Sequence, residues 1–493
     1  MKTKILRLFV ISLTTMLALL SLNIHAQVAG KKSEPGYRIV GGSITGASEV
    51  NANAAKNTSK LELASSDARL VEVFNWARQQ AMSFVLEDDP LGPWYEAAEP
   101  GREAFCMRDV SHQAMGAHAL GLALHNYNML RRFAENVSDA RDWCSFWEID
   151  RYNQPATVDY KNDAEFWYNL PANFDVLDCC FRMYVWTGDR TYINDPVFLN
   201  FYDRTVIDYV ERWGFGIDDI MKRPRLMNIR GMVDTTKKFQ SARGIPGYNE
   251  GDHNYVLGFD MLATQYAAYL AYAHIQEVRR NGELALTYMK KADEVKNLAT
   301  TTWWNEKEKC FYARLNEHYQ LEGESRGGLD WGTVRHDNPD ADNARLLDLS
   351  QARLEYPEVS FTRIGTIVNG TMGINLEFTS PLLSEVEGFW VETMVKTLSG
   401  LGTKIAWAEL RNLPVRANEI SVRHDGTRKT TLINQQGPAF IWQATFHGTH
   451  NTLLVNGRPM KALVNTGAAG LTTSSVRVSI GAGGAASVEI PKQ

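Results

Sequence analysis

The chain is poor in cysteine and has no block of basic charge. Its five cysteines, Cys106, Cys144, Cys179, Cys180 and Cys310, show neither zinc-ligand spacing nor a framework of regular pairs. They are expected as buried free thiols. None precedes Cys106, which excludes a lipid-modified cysteine behind an export signal. The net charge is −5, and without a basic patch a nucleic-acid partner is not expected. GxSxG elbows, P-loops, GxGxxG turns after a strand, HExxH helices and paired CxxC motifs are all missing, and the 11 histidines are scattered. Neither a metal nor another cofactor is expected. Nor does the chain repeat itself at the ~34 to 45 residue period of helical arrays.

What is present starts with "MKTKILRLFVISLTTMLALLSLNIHAQ". A basic start, an apolar run too short for a membrane span and a small residue at Ala26 predict an export signal over 1–26. The product is expected to be secreted, to the periplasm. Residues 27–62 are rich in Gly, Ser, Ala and Asn and read as a disordered linker.

From about 63 to 413 the pattern is helical. Apolar residues recur near a 3.6 period in "SSDARLVEVFNWARQQAMSF", "VSHQAMGAHALGLALHNYNMLRRFAE", "SDARDWCSFWEID", "FDVLDCCFRMYVWTG", "PVFLNFYDRTVIDYVERWG", "NYVLGFDMLATQYAAYLAYAHIQEVRRNG" and "LALTYMKKADEVKNLATTTWW". Further helices are expected near 341–353 and 380–400. Nine to eleven helices, many in adjacent pairs with long decorated loops between them, predict a mainly α barrel of helical hairpins with inner and outer rings. Within it, "CFYARL" and "HYQLE" alternate like the arms of a hairpin. Residues 414–493 change to short alternating runs such as "EISVRHDG" and "AFIWQATFHG". They predict a small C-terminal all-β domain of sandwich type.

Four stretches could carry chemistry. "GREAFCMRDVSHQ", 101–113, crowds ionisable groups among apolar ones. A helix starting near Arg108 places His112 one turn further along the same face. With Arg102 and a helix N-terminus they suit an anion such as a carboxylate. The alternative is a structural Arg–Asp pair beside a core histidine. "GIPGYNEGDHN", 244–254, carries Glu250, Asp252 and His253 on a Gly-rich loop before a long helix. Two carboxylates there suit acid and base roles; calcium binding or helix capping are the alternatives. "NDAEFWYNLPANFDVLD", 162–178, sets Asp163, Glu165 and Asp175 among Phe166, Trp167 and Tyr168. Aromatic surroundings suit sugar rings and raise carboxyl pKa values, although capping and core packing account for the same pattern. "GGLDWGTVRHDNPD", 327–340, holds Trp331, Arg335 and His336, and Glu385 and Glu387 follow in "SEVEGFW".

"TTWWNEKEKCFYARL" resembles the helix-end-to-hairpin passage of the six-hairpin, (α/α)6 glycoside hydrolases. "PWYEAAEPGREAFCMRDVSHQ" and "GYNEGDHNYVLGFD" resemble glycoside hydrolase family 154, a group of β-glucuronidase-type bacterial enzymes. The general resemblance covers about 65–410. It implies an (α/α)6 toroid followed by the small β domain, and removal of a terminal uronic acid from a polysaccharide or glycan by acid/base catalysis. On that reading the catalytic candidates are Glu250 as acid and Asp109 as base, ahead of Asp175 and Asp163. Arg102, Arg108 and His112 would hold the sugar carboxylate, and Asp252 the hydroxyls. His253, Trp94, Trp147, Trp167, Tyr168, Trp331 and Arg335 would line the sugar. A uronate lyase using His112, His253 or Tyr248, and a non-catalytic glycan-binding protein, are the rival readings. An oligomer is compatible with all three.

Overall fold

The protein is represented by a computed structural model that describes residues 59–224, 243–250, 255–325, 338–350, 352–379, 393–467 and 471–492. The expected export signal and most of the linker lie outside these residues, as do Asp252, His253, Trp331, Arg335, Glu385 and Glu387.

Nine helices of nine or more residues occur among the described residues. They are α1 (Ala68–Ser83), α2 (Met107–Ala119), α3 (Ala123–Glu135), α4 (Ala172–Thr187), α5 (Pro196–Arg204), α6 (Phe259–Val278), α7 (Gly282–Thr302), α8 (Pro339–Leu347) and α9 (Pro357–Thr366). Local signals set their ends. The Asp67 carboxylate accepts the Arg69 N–H to start α1, and Asp195 does the same ahead of Pro196 in α5. The stretch 110–135, read as one helix, is two. At Gly121 the backbone enters the left-handed region, with φ +91°, and the chain turns back on itself there.

Burial separates two layers. Helix α2 buries twelve of its thirteen residues, and α4, α6 and α9 are likewise mostly buried. Helix α7 buries only the stripe Ala285, Tyr288, Ala292, Val295 and Ala299, the one-sided pattern of an outer helix. The inner helices pack in the order α9–α2–α4–α6, with α3 behind α2, α5 against α3, α7 behind α6 and α1 beside α9. Helices α2 and α9 cross closely, because a Cβ on Gly116 would run into the Phe361 carbonyl oxygen. Leu321–Glu322 does pair antiparallel with Arg314–Asn316, so the hairpin expected from "CFYARL" and "HYQLE" forms.

Two large sheets make up the β unit. The larger runs, in spatial order, Glu62–Ser65, Trp407–Val415, Asn418–Asp425, Lys429–Gln436, Ala485–Glu489, Thr452–Val455 and Arg458–Lys461. The smaller runs Ile374–Phe378, Thr393–Leu398, Phe440–His447, Thr472–Ile480 and Leu463–Thr466. Within these two sheets pairing is antiparallel except between Thr393–Leu398 and Phe440–His447. Buried residues of both sheets, such as Val422, Leu432, Trp442 and Val476, belong to one core continuous with the helices. The β unit is therefore not confined to 414–493. It takes the strand Glu62–Ser65, at the join of the expected linker and helical part, and strands from the end of the helical part.

Two helix expectations fail. "SDARDWCSFWEID" makes a single 3-10 turn at Asp139–Arg141 and then the strand Glu148–Asp150. Asp142 and Trp143 take positive φ there, and Ala104–Cys106 pairs with the strand. In the 380–400 stretch, Thr393–Leu398 is a strand held on both sides, and residues 380–392 lie outside the described ones. All five cysteines are free and buried.

The β unit sits at the C-terminal ends of the inner helices. His118, in the last turn of α2, meets the Pro414 carbonyl at 3.0 Å. The Arg416 N–H donates to Trp186 O near the end of α4 at 2.6 Å. The Phe378 ring lies 5.3 Å from Phe181 of α4 and 4.9 Å from His274 of α6. The N-terminal ends of the same helices lie away from it.

Candidate active site

Each of the four inner helices carries an acidic residue in its first turn: Asp109 on α2, Asp175 on α4, Asp260 on α6 and Glu358 on α9. A carboxylate is stabilised there by the free N–H groups of the helix end. The helices run side by side, so these ends converge. Hydrogen bonds between the loops join them into one cluster.

Arg108 is the hub. Its Nε donates to Asp109 Oδ1 at 3.4 Å and its Nη1 to Glu250 Oε1 at 3.1 Å. Its guanidinium lies 5.2 Å from the Tyr248 ring and 5.8 Å from the Trp147 ring. Burial opposes the charge, but Glu250 and then Asp109 hold Arg108 firmly protonated. Tyr356, just before α9, donates to Asp109 Oδ2 at 2.7 Å. Tyr248 donates its hydroxyl to Asp175 and its backbone N–H to Asp260. This pins the segment 243–250 across α4 and α6. Gly244, in the short strand Arg243–Ile245, takes φ +83°, and a side chain at Gly247 would meet the Asp260 carboxylate.

The carboxyl groups are strongly perturbed. Burial raises Asp109 to about 6, with the Glu358 charge adding to it and Arg108 opposing. Burial likewise raises Asp175 to about 6, against the pull of His112 and the Tyr248 hydroxyl. Asp260 also reaches about 6 by burial. His112 Nδ1 meets Glu358 Oε1 at 2.7 Å. Burial disfavours the imidazolium, yet the bond to Glu358 and its charge raise His112 above the usual value. Beside this group, Arg102 Nη1 donates to Glu148 Oε2 at 2.8 Å and to Asp159 Oδ2 at 3.5 Å. Burial, then contact with Glu148, pushes Asp159 well up, and the Glu250 charge adds to it.

The structure thus brings together Arg108, Asp109, His112, Asp175, Glu250 and Trp147, with Arg102 at the margin. Other expectations are corrected. Asp163 lies outside the cluster, on the Arg141 guanidinium at 2.6 Å and the Tyr160 hydroxyl at 2.7 Å. Trp94, Trp167 and Tyr168 are core residues, not sugar platforms. Trp94 Nε1 donates to Asp89, Trp167 Nε1 to Asn169, and the Tyr168 hydroxyl to Asn173. Asp109 has no exposed side-chain surface, and Glu250 keeps 18% of its own. Asp109 is thus fully covered, with Arg108 and Tyr356 as its partners. Both arginines are engaged by the protein's own carboxylates, not held free for a substrate anion. Glu358, Tyr356, Asp260, Glu148 and Asp159 escaped the sequence reading. The helix start "YPEVS", with Pro357 and then an acid, was the one available signal for Glu358.

No protein-family model matches the chain, and no curated protein matches it in sequence. Among solved structures it is similar to an α-L-rhamnosidase from Dictyoglumus thermophilum, at TM-score 0.48 and 10% identity, over 88% of this chain and 51% of that one. It is similar to a GH78 family rhamnosidase of a Bacillus species at TM-score 0.46 and 11% identity, over 76% of this chain and 40% of that one. An α-L-rhamnosidase from Aspergillus terreus aligns at TM-score 0.43 and 11% identity, over 86% and 50%. The chain therefore spans about half the length of these proteins or less. At this level of likeness the architecture is read from the helices and sheets themselves: a two-layer α/α array with a two-sheet β unit across one end.

Proposed function

We propose that the protein is a glycoside hydrolase that removes a terminal sugar, with its helices forming part of a six-hairpin (α/α)6 toroid. The observation that carries this reading is that Asp175, at the start of α4 and bonded by Tyr248, and Glu250, bonded by Arg108, belong to one cluster in which the Arg108 guanidinium lies 5.2 Å from the Tyr248 ring. Glycosidic cleavage needs one carboxyl that still holds a proton near neutral pH and one carboxylate to act on water or on the sugar carbon. Asp175, raised to about 6, suits the acid. Glu250, paired with Arg108 and the more exposed of the two, suits the carboxylate. Glu250 thus moves from the expected acid to the carboxylate, and Asp175, placed behind Asp109 among the expected bases, takes the acid role.

The preferred substrate is a glycan ending in β-linked glucuronic acid, as the resemblance of the 93–113 and 247–260 stretches implies. Arg108 would exchange one of its carboxylate partners for the sugar acid. A neutral or deoxy sugar is the second reading, favoured by the engagement of both Arg108 and Arg102 with protein carboxylates. The protein would act in the periplasm after loss of its export signal.

A panel of aryl glycosides including β-glucuronides, neutral hexosides and rhamnosides tests all of this. Release of the aryl group supports the glycosidase, and the turnover ranking decides between the two readings. A rise in ultraviolet absorbance on an acidic polysaccharide, without reducing sugar from the aryl panel, would instead mark an eliminating lyase. Binding without turnover would mark a glycan-binding protein.

A further inference from the structure

The His112–Glu358 pair has no part in the acid and carboxylate roles above, yet it lies inside the cluster. His112 sits one turn beyond Arg108 on α2, and Glu358 opens α9. Their 2.7 Å bond uses Nδ1. The other ring nitrogen, Nε2, is buried and has no hydrogen-bond partner, and only 10% of the His112 side chain is exposed. A buried imidazole bonded through Nδ1 to a carboxylate has its orientation fixed and its cationic form favoured. The charged groups acting on it are Glu358 from α9, Asp175 from α4, and Arg108 and Asp109 from its own helix. Asp175 feels in turn the His112 charge, the Tyr248 hydroxyl, Asp178, Arg182 and, across the loop, Asp260.

Resting on the glycosidase reading, we infer that Glu358 is a positioning residue that holds His112 as an imidazolium beside Asp175 and so keeps the acid's proton transferable. A carboxyl buried among apolar groups holds its proton too firmly to give it up to a leaving oxygen. A fixed cation next to it stabilises the carboxylate left behind when the proton goes. Neither Glu358 nor His112 needs to touch the sugar. In the step itself Asp175 passes its proton to the glycosidic oxygen as the bond to the sugar carbon breaks, and water supplies the hydroxyl and returns a proton. The His112–Glu358 pair ends as it began.

Two readouts on Glu358→Gln test this. Selective 15N labelling of the histidines, with His112→Gln assigning the signal, follows the His112 titration directly. It is expected above 6.5 in the wild type, the free-imidazole value, and about one unit lower in Glu358→Gln. An unchanged titration overturns the inference. The pH profile of kcat on the best aryl glycoside is the second readout. Without the imidazolium Asp175 holds its proton more tightly, so the alkaline limb is expected to move up by about one pH unit with KM little changed. A limb that stays in place or moves down also overturns it. If the wild type hydrolyses no glycoside, the glycosidase reading fails and the acid's role with it, while the titration still decides whether the ion pair exists. Should Glu358→Gln not fold, Glu358→Asp keeps the charge, lengthens the bond and carries the same two readouts in reduced size.

Discussion

Helix α2 carries a histidine near each end, and the two are in opposite states. His112 lies one turn in from the N-terminal end, against Glu358, and is raised above the usual value despite burial. His118 lies in the last turn, against the Pro414 carbonyl of the β unit, and burial lowers it to about 4. The two rings are six residues apart on one buried helix. What separates them is the partner each meets: a carboxylate from α9 or a neutral carbonyl from a strand. A buried imidazole becomes charged where an anion compensates its desolvation and stays neutral where only a dipole does. One end of the inner layer is thus built for charge, and the other is built as a seam.

The comparison breaks most visibly at the charged end. Asp175→Asn or Glu250→Gln should lower kcat on the best glycoside by about 10²- to 10⁴-fold with an unchanged circular dichroism spectrum. Wild-type turnover in both variants would remove these residues from the chemistry. Between the two histidines, Gly116→Ala forces a methyl into the Phe361 carbonyl of α9. Neither backbone yields cheaply, so a loss of about 3 kcal/mol is expected in urea unfolding. A loss under about 0.5 kcal/mol would mean that α2 and α9 do not cross so closely.

The seam is tested by pH. Because His118 is lowered in the folded state, the unfolded chain takes up the proton first. Its contribution to stability is intact above about 6.5 and is lost as pH falls toward 4. Asp109, Asp175 and Asp260 act in the opposite sense, since the folded chain keeps their protons up to about 6. The histidine is isolated by comparing variants. His118→Gln keeps a donor for Pro414 without titrating, so the fall in unfolding free energy from pH 7 to 4.5 should shrink by about 2 kcal/mol. An equal fall in both proteins would show that His118 is not buried in the seam. The smallest effect is expected outside both ends. Asp163 is half-exposed beside Arg141, so Asp163→Asn should cost under about 1 kcal/mol and leave kcat unchanged. A large loss of turnover would return Asp163 to the site.

Much of this was legible. Periodicity found most inner and outer helices, and Pro196 and Asp67 marked two of their starts. The crowding of charge in 101–113 and the glycines of 244–251 pointed at the cluster, because such residues fit neither a plain core nor a plain surface. The failures share one cause. Trp94, Trp167 and Tyr168 looked like platforms, but whether an aromatic ring packs or faces a ligand depends on what covers it. The 139–150 stretch had helical periodicity, but a pairing with 104–106 overrode it. Glu358 was invisible as a partner because it lies 246 residues from His112.

The sequence by itself determined the class of each segment: a helical region of paired elements, a β unit rich in alternating runs, and loops where acids, arginines and glycines accumulate. These follow from local geometry, since a 3.6 or a 2.0 period fixes which face of a segment is apolar wherever it packs. Only the tertiary structure decided which acids meet. Arg108 reaches Glu250, Tyr356 reaches Asp109, and His112 reaches Glu358 because four helix ends converge. Charge states inside a protein are set by burial and by the nearest opposite charge, and neither is a property of the residue's neighbours along the chain.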